Sequence, residues 1–159
     1  MIKKKIIHLR GHHILCLQGY QGYGYDENFK NNMEKIISKL NDENSNTKVI
    51  LTESADDICK FCPKLKGEMC IGDLESHENY TKEEIKKIEI SSLISNNNQK
   101  IENMDSKVLK IAKIKKEKEY EFSEIIYRAN NSLKYLNDAK NICGDCKWID
   151  KCLWYQSRQ

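Results

Sequence analysis

The residues best able to do chemistry in this 159-residue chain are its seven cysteines, six of them in two tight groups. The first group is Cys59-x2-Cys62-x7-Cys70, and the second is Cys143-x2-Cys146-x5-Cys152. Cys16 stands alone before both. A Cys-x2-Cys pair forms a tight turn that presents two thiolates to one metal centre, and a third cysteine a few residues on reaches the next corner. Three ligands from one short segment and a fourth from far away in sequence is a usual way to hold a cubane [4Fe–4S] cluster. Pro63 follows Cys62, as proline follows some ferredoxin cysteines. Spacing therefore favours joining Cys16 to Cys143, Cys146 and Cys152 around one cluster. Two cubanes need about eight ligands against the seven cysteines present. Three solutions stay open: His12, His13 or His77 completes the second set, one iron keeps an open position, or there is only one cluster.

Zinc competes for the same thiolates. Structural zinc prefers two ligand pairs, and Cys59/Cys62 with Cys143/Cys146 would make such a site. It would leave Cys16, Cys70 and Cys152 without a role. His12 and His13 precede Cys16 by four and three residues, so on a helix either imidazole can share a face with the thiol. Adjacent residues diverge by about 100°, so the two do not both face one metal. His12, His13 and Arg10 are the candidate catalytic or proton-donating groups. His13 is also the candidate non-cysteine ligand. An equal reading makes one histidine a core residue and the other a structural hydrogen-bonder, with Arg10 paired to an acidic residue.

Composition narrows the classes. There are 27 basic and 24 acidic residues, a net charge of +3, too even to suggest a nucleic-acid or membrane partner. The longest purely apolar run is Ile14-Leu15-Cys16-Leu17, well short of the roughly 7 residues of a signal peptide or the roughly 20 of a membrane span. A cytoplasmic protein is expected. In a reducing compartment, closely spaced cysteines are metal ligands more often than disulfides. Hydrophobic residues make up 39% of the chain, a lean supply for a core, and a bound metal can add folding energy.

The elements that must position these groups are short. Residues 2–9 read as a strand and residues 12–18 as a helix. The Gly19 to Tyr25 stretch is a turn-rich loop whose tyrosines pack over the metal region; its glycine order does not match a dinucleotide fingerprint. Asp26 is an N-cap for a helix to about Leu40, with Phe29, Met33, Ile36, Ile37 and Leu40 on one face. Residues 48–52 form a second strand that pairs with the first. Thr81 to Glu84 fit a capping box for a short helix through Ile88, and residues 91–103 are expected to be a flexible polar insertion. Asp105 is read as the cap of a helix carrying Val108, Leu109, Ile111 and Ala112. Ser123 is read as the cap of another, carrying Ile125, Ile126, Ala129, Leu133 and Leu136. Trp148 and Trp154, on either side of Cys152, are read as shields that keep water from a cluster. The expected fold is α+β and predominantly helical. It is one metal-binding domain over 1–159, with a minor two-stranded element and cysteine-rich loops.

The chain resembles the uncharacterised domain-of-unknown-function family 1284. The likeness is carried by the run Arg10-Gly11-His12-His13-Ile14-Leu15-Cys16-Leu17-Gln18-Gly19 on to Tyr25, by Asp56-Asp57-Ile58-Cys59-x2-Cys62-Pro63, by Met104-Asp105-x2-Val108-Leu109, and by Ile142-Cys143-Gly144-Asp145-Cys146-x-Trp148-x3-Cys152. The resemblance implies a suspected iron–sulfur protein with no settled activity. Three functions follow as expectations. The first is a [4Fe–4S] protein, with one or two clusters, that passes electrons to a redox partner protein. The second is an enzyme in which an open iron acts on a small-molecule substrate beside His12 or His13. The third is a zinc-stabilised interaction module.

Overall fold

The computed structural model describes residues 3–66, 69–70, 83–144 and 146–158, except the side chains of 66, 69 and 83–94. His77, Thr81 and Asp145, named above, lie outside the described residues, as does residue 2 of the expected first strand.

Two strands start the fold. Strand β1 (Lys5–Arg10) pairs in parallel with β2 (Thr47–Thr52), in a register that sets Ile7 against Val49 and Leu9 against Leu51. Alternation in β2 buries Thr47, Val49 and Leu51 on one face, as a period of two requires. A parallel pair needs a long crossover. Helices α1 (His13–Gly19) and α2 (Glu27–Asn41) supply it. The Asp26 side chain accepts a hydrogen bond from the Phe29 N–H at 2.8 Å, so α2 starts at the expected cap. It buries Met33 and Ile36. The sheet has a third member, where a two-stranded element was expected. β5 (Glu119–Tyr120) lies antiparallel to β2, with Tyr120 opposite Val49. Its two residues are too few to show a period in the sequence.

Between β2 and β5 run a single 3-10 turn (Cys59–Phe61), a two-residue hairpin of β3 (Leu65–Lys66) and β4 (Met69–Cys70), and the long helix α3 (Glu83–Ala112). The capping-box helix does not stop near Ile88, and residues 91–103 are not a loop. Both belong to this 30-residue helix. Polarity hid it: a helix that leaves the core to run past a cavity needs no apolar stripe there. Its polar side chains also bond at i, i+4, Asn98 to Glu102 and Gln99 to Asn103, each at 3.0 Å. Asp105 consequently sits mid-helix and caps nothing. The last turns of α3 bury Val108, Leu109 and Ala112.

Helix α4 (Phe122–Ser132) starts one residue before the expected Ser123 cap, and Leu136 belongs to a separate helix, α5 (Leu136–Cys143). A last turn, α6 (Leu153–Gln156), packs against α1 and buries Trp154 and Tyr155. The result is α+β with helices dominant, as expected. Among the described residues no helix is long and apolar enough to cross a membrane.

Candidate metal centre

All seven cysteines line one cavity of about 480 Å³. All seven are free thiols. They come from four places: α1, the 3-10 turn and hairpin, the end of α5, and the loop before α6. The two Cys-x2-Cys segments close on the same kind of backbone hydrogen bond. The Cys62 N–H donates to the Cys59 carbonyl at 2.9 Å, and the Cys146 N–H to the Cys143 carbonyl at 3.0 Å. The second turn passes through Gly144 at φ +53°, a left-handed conformation that side chains rarely adopt.

Cys16 meets the C-terminal group. Ile14, Leu15 and Leu17 anchor α1 in the core, which leaves Cys16 toward the cavity. Burial, and then the sulfurs of Cys146, Cys143 and Cys152, push the Cys16 thiol well above its usual pKa. Burial, Cys146 and Cys152 push Cys143 up to about 12. These are not nucleophilic thiols, which need lowered pKa values. Ionising several of them together would need a cation among them. Cys152 is held against α1. A Cβ on Gly19 would lie 2.0 Å from the Cys152 sulfur, so only glycine admits that thiol. The Gly-Tyr loop covers the group, as read from sequence. Tyr23 stacks on Trp148 with centroids 5.0 Å apart, and Tyr25 meets Trp148 edge-on at 5.6 Å. Both tryptophans line the cavity. Trp148 roofs the cysteines, and Trp154 reaches it from the core, 2% exposed, with its indole N–H donating to Asn130 at 2.9 Å.

The other trio is held by polar groups. Burial pushes Cys62 up to about 11, with Cys70 adding to the rise. Hairpin pairing sets Cys70 opposite Leu65, whose N–H donates to the Cys62 carbonyl at 3.1 Å. Two neighbouring α3 side chains clamp Cys70. Asn98 accepts its N–H, and Asn97 donates to its carbonyl, both at 3.1 Å. The stretch expected to be a flexible insertion thus supplies this clamp.

Arg10, His12 and His13 join two buried aspartates. Arg10 is 1% exposed; its Nε donates to Asp105 Oδ2 at 2.7 Å and its Nη1 lies 3.8 Å from the Cys59 sulfur. His12 Nδ1 meets Asp105 Oδ1 at 2.6 Å, and His13 Nδ1 meets Asp56 Oδ2 at 2.7 Å. Burial alone would raise the Asp56 carboxyl, but His13 and the N–H groups of Arg10 and Cys59 bring it down to about 2. Asp105 is likewise lowered, by His12 and Arg10 against the effect of burial. Both carboxylates are therefore ionised acceptors, and each histidine donates from Nδ1. Both rings line the cavity and stand 4.4 Å apart between centroids. Burial, then His13, lowers the pKa of His12, so its ring is neutral at pH 7. This is how proteins orient an imidazole whose Nε2 is to bind metal or move a proton. Arg10, by contrast, is fully engaged inside the protein as a positioning residue.

The sequence reading did not find Asp56 or Asp105 as partners of the histidines. An aspartate three residues before Cys59 signals a local turn, and Asp56 Oδ1 does accept the Ile58 and Cys59 N–H groups at 3.0 Å. Nothing local signals His13, 43 residues away.

No curated protein and no solved structure is similar to the chain. The model of one family, described as proteins of unknown function (DUF1284), matches residues 24–152. Both cysteine trios fall inside that match, and Cys16 with the two histidines falls before it. The chain belongs to the DUF1284 family of proteins of unknown function.

Proposed function

We propose that this protein is a [4Fe–4S] protein whose cluster is held by Cys16, Cys143, Cys146 and Cys152 and serves electron transfer with a redox partner protein in the cytoplasm. One observation carries the reading: a cysteine from α1 and three from the distant C-terminal segment meet at one cavity as free thiols. Donor spacing is wider than a single tetrahedral zinc would set. Four thiolates on one zinc, with Zn–S about 2.3 Å, stand roughly 3.8 Å apart. Among the described residues no three thiols lie within 4.8 Å of one another, the spacing at which His13, Asp56 and Cys59 do cluster. A cubane has its irons at separate corners and holds its thiolates more widely.

When bound, the cluster supplies one-electron chemistry. The chain's own residues would fix it. Gly19 admits Cys152, Gly144 shapes the turn between Cys143 and Cys146, and Tyr23 with Trp148 covers one side of the site, with Cys146 at its exposed edge. A second reading, an enzyme with an open iron, is favoured by the cavity itself and by two carboxylate-held histidines that line it.

Anaerobic purification followed by iron, acid-labile sulfide and zinc analysis tests this directly. The expected protein is brown, with iron and sulfide in equal amounts. The variant Cys16→Ala should lose about four irons per chain. Colourless protein containing zinc and no sulfide would replace the proposal with a zinc-stabilised interaction module. Spectra that shift on adding small molecules would favour the enzyme.

A further inference from the structure

The trio Cys59, Cys62 and Cys70 lacks a fourth thiolate, and one carboxylate identifies the group that stands in its place. Asp56 has four acceptor positions, and all four are used. Oδ1 takes the N–H groups of Ile58 and Cys59, each at 3.0 Å, and Oδ2 takes the Arg10 N–H at 2.6 Å and His13 Nδ1 at 2.7 Å. Asp56 is therefore a poor metal ligand, even though its oxygens lie within 4.8 Å of the His13 and Cys59 donor atoms. Its geometry suits a different task. The same carboxylate sets the first cysteine of the trio and orients the imidazole beside it. With Nδ1 donating to Asp56, the lone pair of His13 is on Nε2, and the ring lines the cavity with the three cysteines. His12 is not equivalent. It is held by Asp105 on α3, and its path to the trio is one residue longer, through Arg10 to the Cys59 sulfur.

We propose that Cys59, Cys62, Cys70 and His13 Nε2 form a second metal centre, a [4Fe–4S] cluster with three thiolates and one imidazole, in which Asp56 is the positioning residue. This rests on the first cluster reading and deepens it: the eighth ligand is a histidine. Three features of the trio suit such a centre. Its thiols are not drawn together as tightly as a single zinc would draw them. Arg10 sets a positive charge 3.8 Å from the Cys59 sulfur, which favours the thiolate and partly offsets burial and the Asp56 carboxylate, which push that thiol up. Asn97 and Asn98 fix the backbone of Cys70 from both sides.

The test uses anaerobically purified full-length chain, with metal analysis and pulsed electron paramagnetic resonance of the dithionite-reduced protein, unlabelled or labelled with nitrogen-15 histidine. Wild type should hold about eight irons per chain with matching sulfide. It should also show a histidine nitrogen coupling that changes with the label. His13→Cys should keep the iron and lose the coupling, His12→Ala should keep both, and His13→Ala should lose about half the iron. The coupling measured on wild type does not depend on any variant folding. About four irons, all lost in Cys16→Ala, would overturn the second centre and leave the first intact. So would eight irons without nitrogen coupling, or a coupling that vanishes only in His12→Ala. Wild type with neither iron nor sulfide would remove both proposals together.

Discussion

The two Cys-x2-Cys segments close on the same kind of backbone hydrogen bond, yet they are held by opposite means. The C-terminal group is set by packing. Cys152 rests on a bare glycine, Trp148 and Tyr23 stack above it, and Cys16 comes from a helix whose apolar residues are in the core. The middle group is set by hydrogen bonds and charge: Asp56 on Cys59, Arg10 beside its sulfur, and Asn97 and Asn98 on Cys70. Shape gathers the four thiols of one group, while a polar network sets the three of the other and the imidazole of His13 beside them.

Several substitutions would break this contrast. The largest effect is expected from Arg10→Met. It strands the Asp105 carboxylate, 0% exposed, with His12 as its remaining side-chain partner. A buried pair broken on one side costs about 3–5 kcal/mol. Urea unfolding should show it, and a loss under about 1 kcal/mol would mean that the charged half of the comparison is wrong. Gly19→Ala comes next. The added methyl collides with the Cys152 sulfur, at about 1–3 kcal/mol for overpacking. The damage should fall on the C-terminal group: iron bound through Cys16 should drop while far-ultraviolet circular dichroism stays unchanged. Equal loss from both groups would deny that they are held separately.

Acid should attack the middle group through Asp56. Its carboxyl is lowered from 3.8 to about 2 in the fold, so its contribution is fully present above the unfolded value. That contribution, on the order of 2 kcal/mol, is lost as pH falls from near 4 toward 2. Asp56→Asn should flatten the fall in stability over that window, and an unchanged slope would show that the proton goes elsewhere. The smallest effect is expected for Asn97→Ala and Asn98→Ala, about 1 kcal/mol each for a lost hydrogen bond. Amide exchange at Cys70 should quicken in both, with the C-terminal group unaltered.

Much of the architecture can be read from local pattern. The apolar run Val49-Ile50-Leu51, the Asp26 cap and the apolar face of α2 are all signals within a few residues, and they hold. The gathering of Cys16 with the C-terminal trio follows from ligand arithmetic, which needs no knowledge of the path between them. What escapes is long-range or polar. β5 is two residues long. The middle of α3 has no apolar stripe because it runs beside a cavity and not over the core. Asp105 looks like a helix cap from its neighbours. It serves Arg10 and His12, whose hydrogen bonds to it span 95 and 93 residues of sequence. Those partnerships exist only once β1 and α3 are packed together.

Cys16 and Cys152 touch the same cavity from nearly opposite extremes of the described fold. A cluster bridging them would work as a clasp around almost everything between. Cross-linking a loop of roughly 100 residues withdraws about 4.7 kcal/mol of freedom from the unfolded chain, by the entropic account. The clasp also sets an order of events. A growing chain exposes Cys16 before Cys152, so it cannot close until translation has passed both. Loading would then be a finishing step, and chains starved of iron during synthesis would accumulate as slack, protease-sensitive forms.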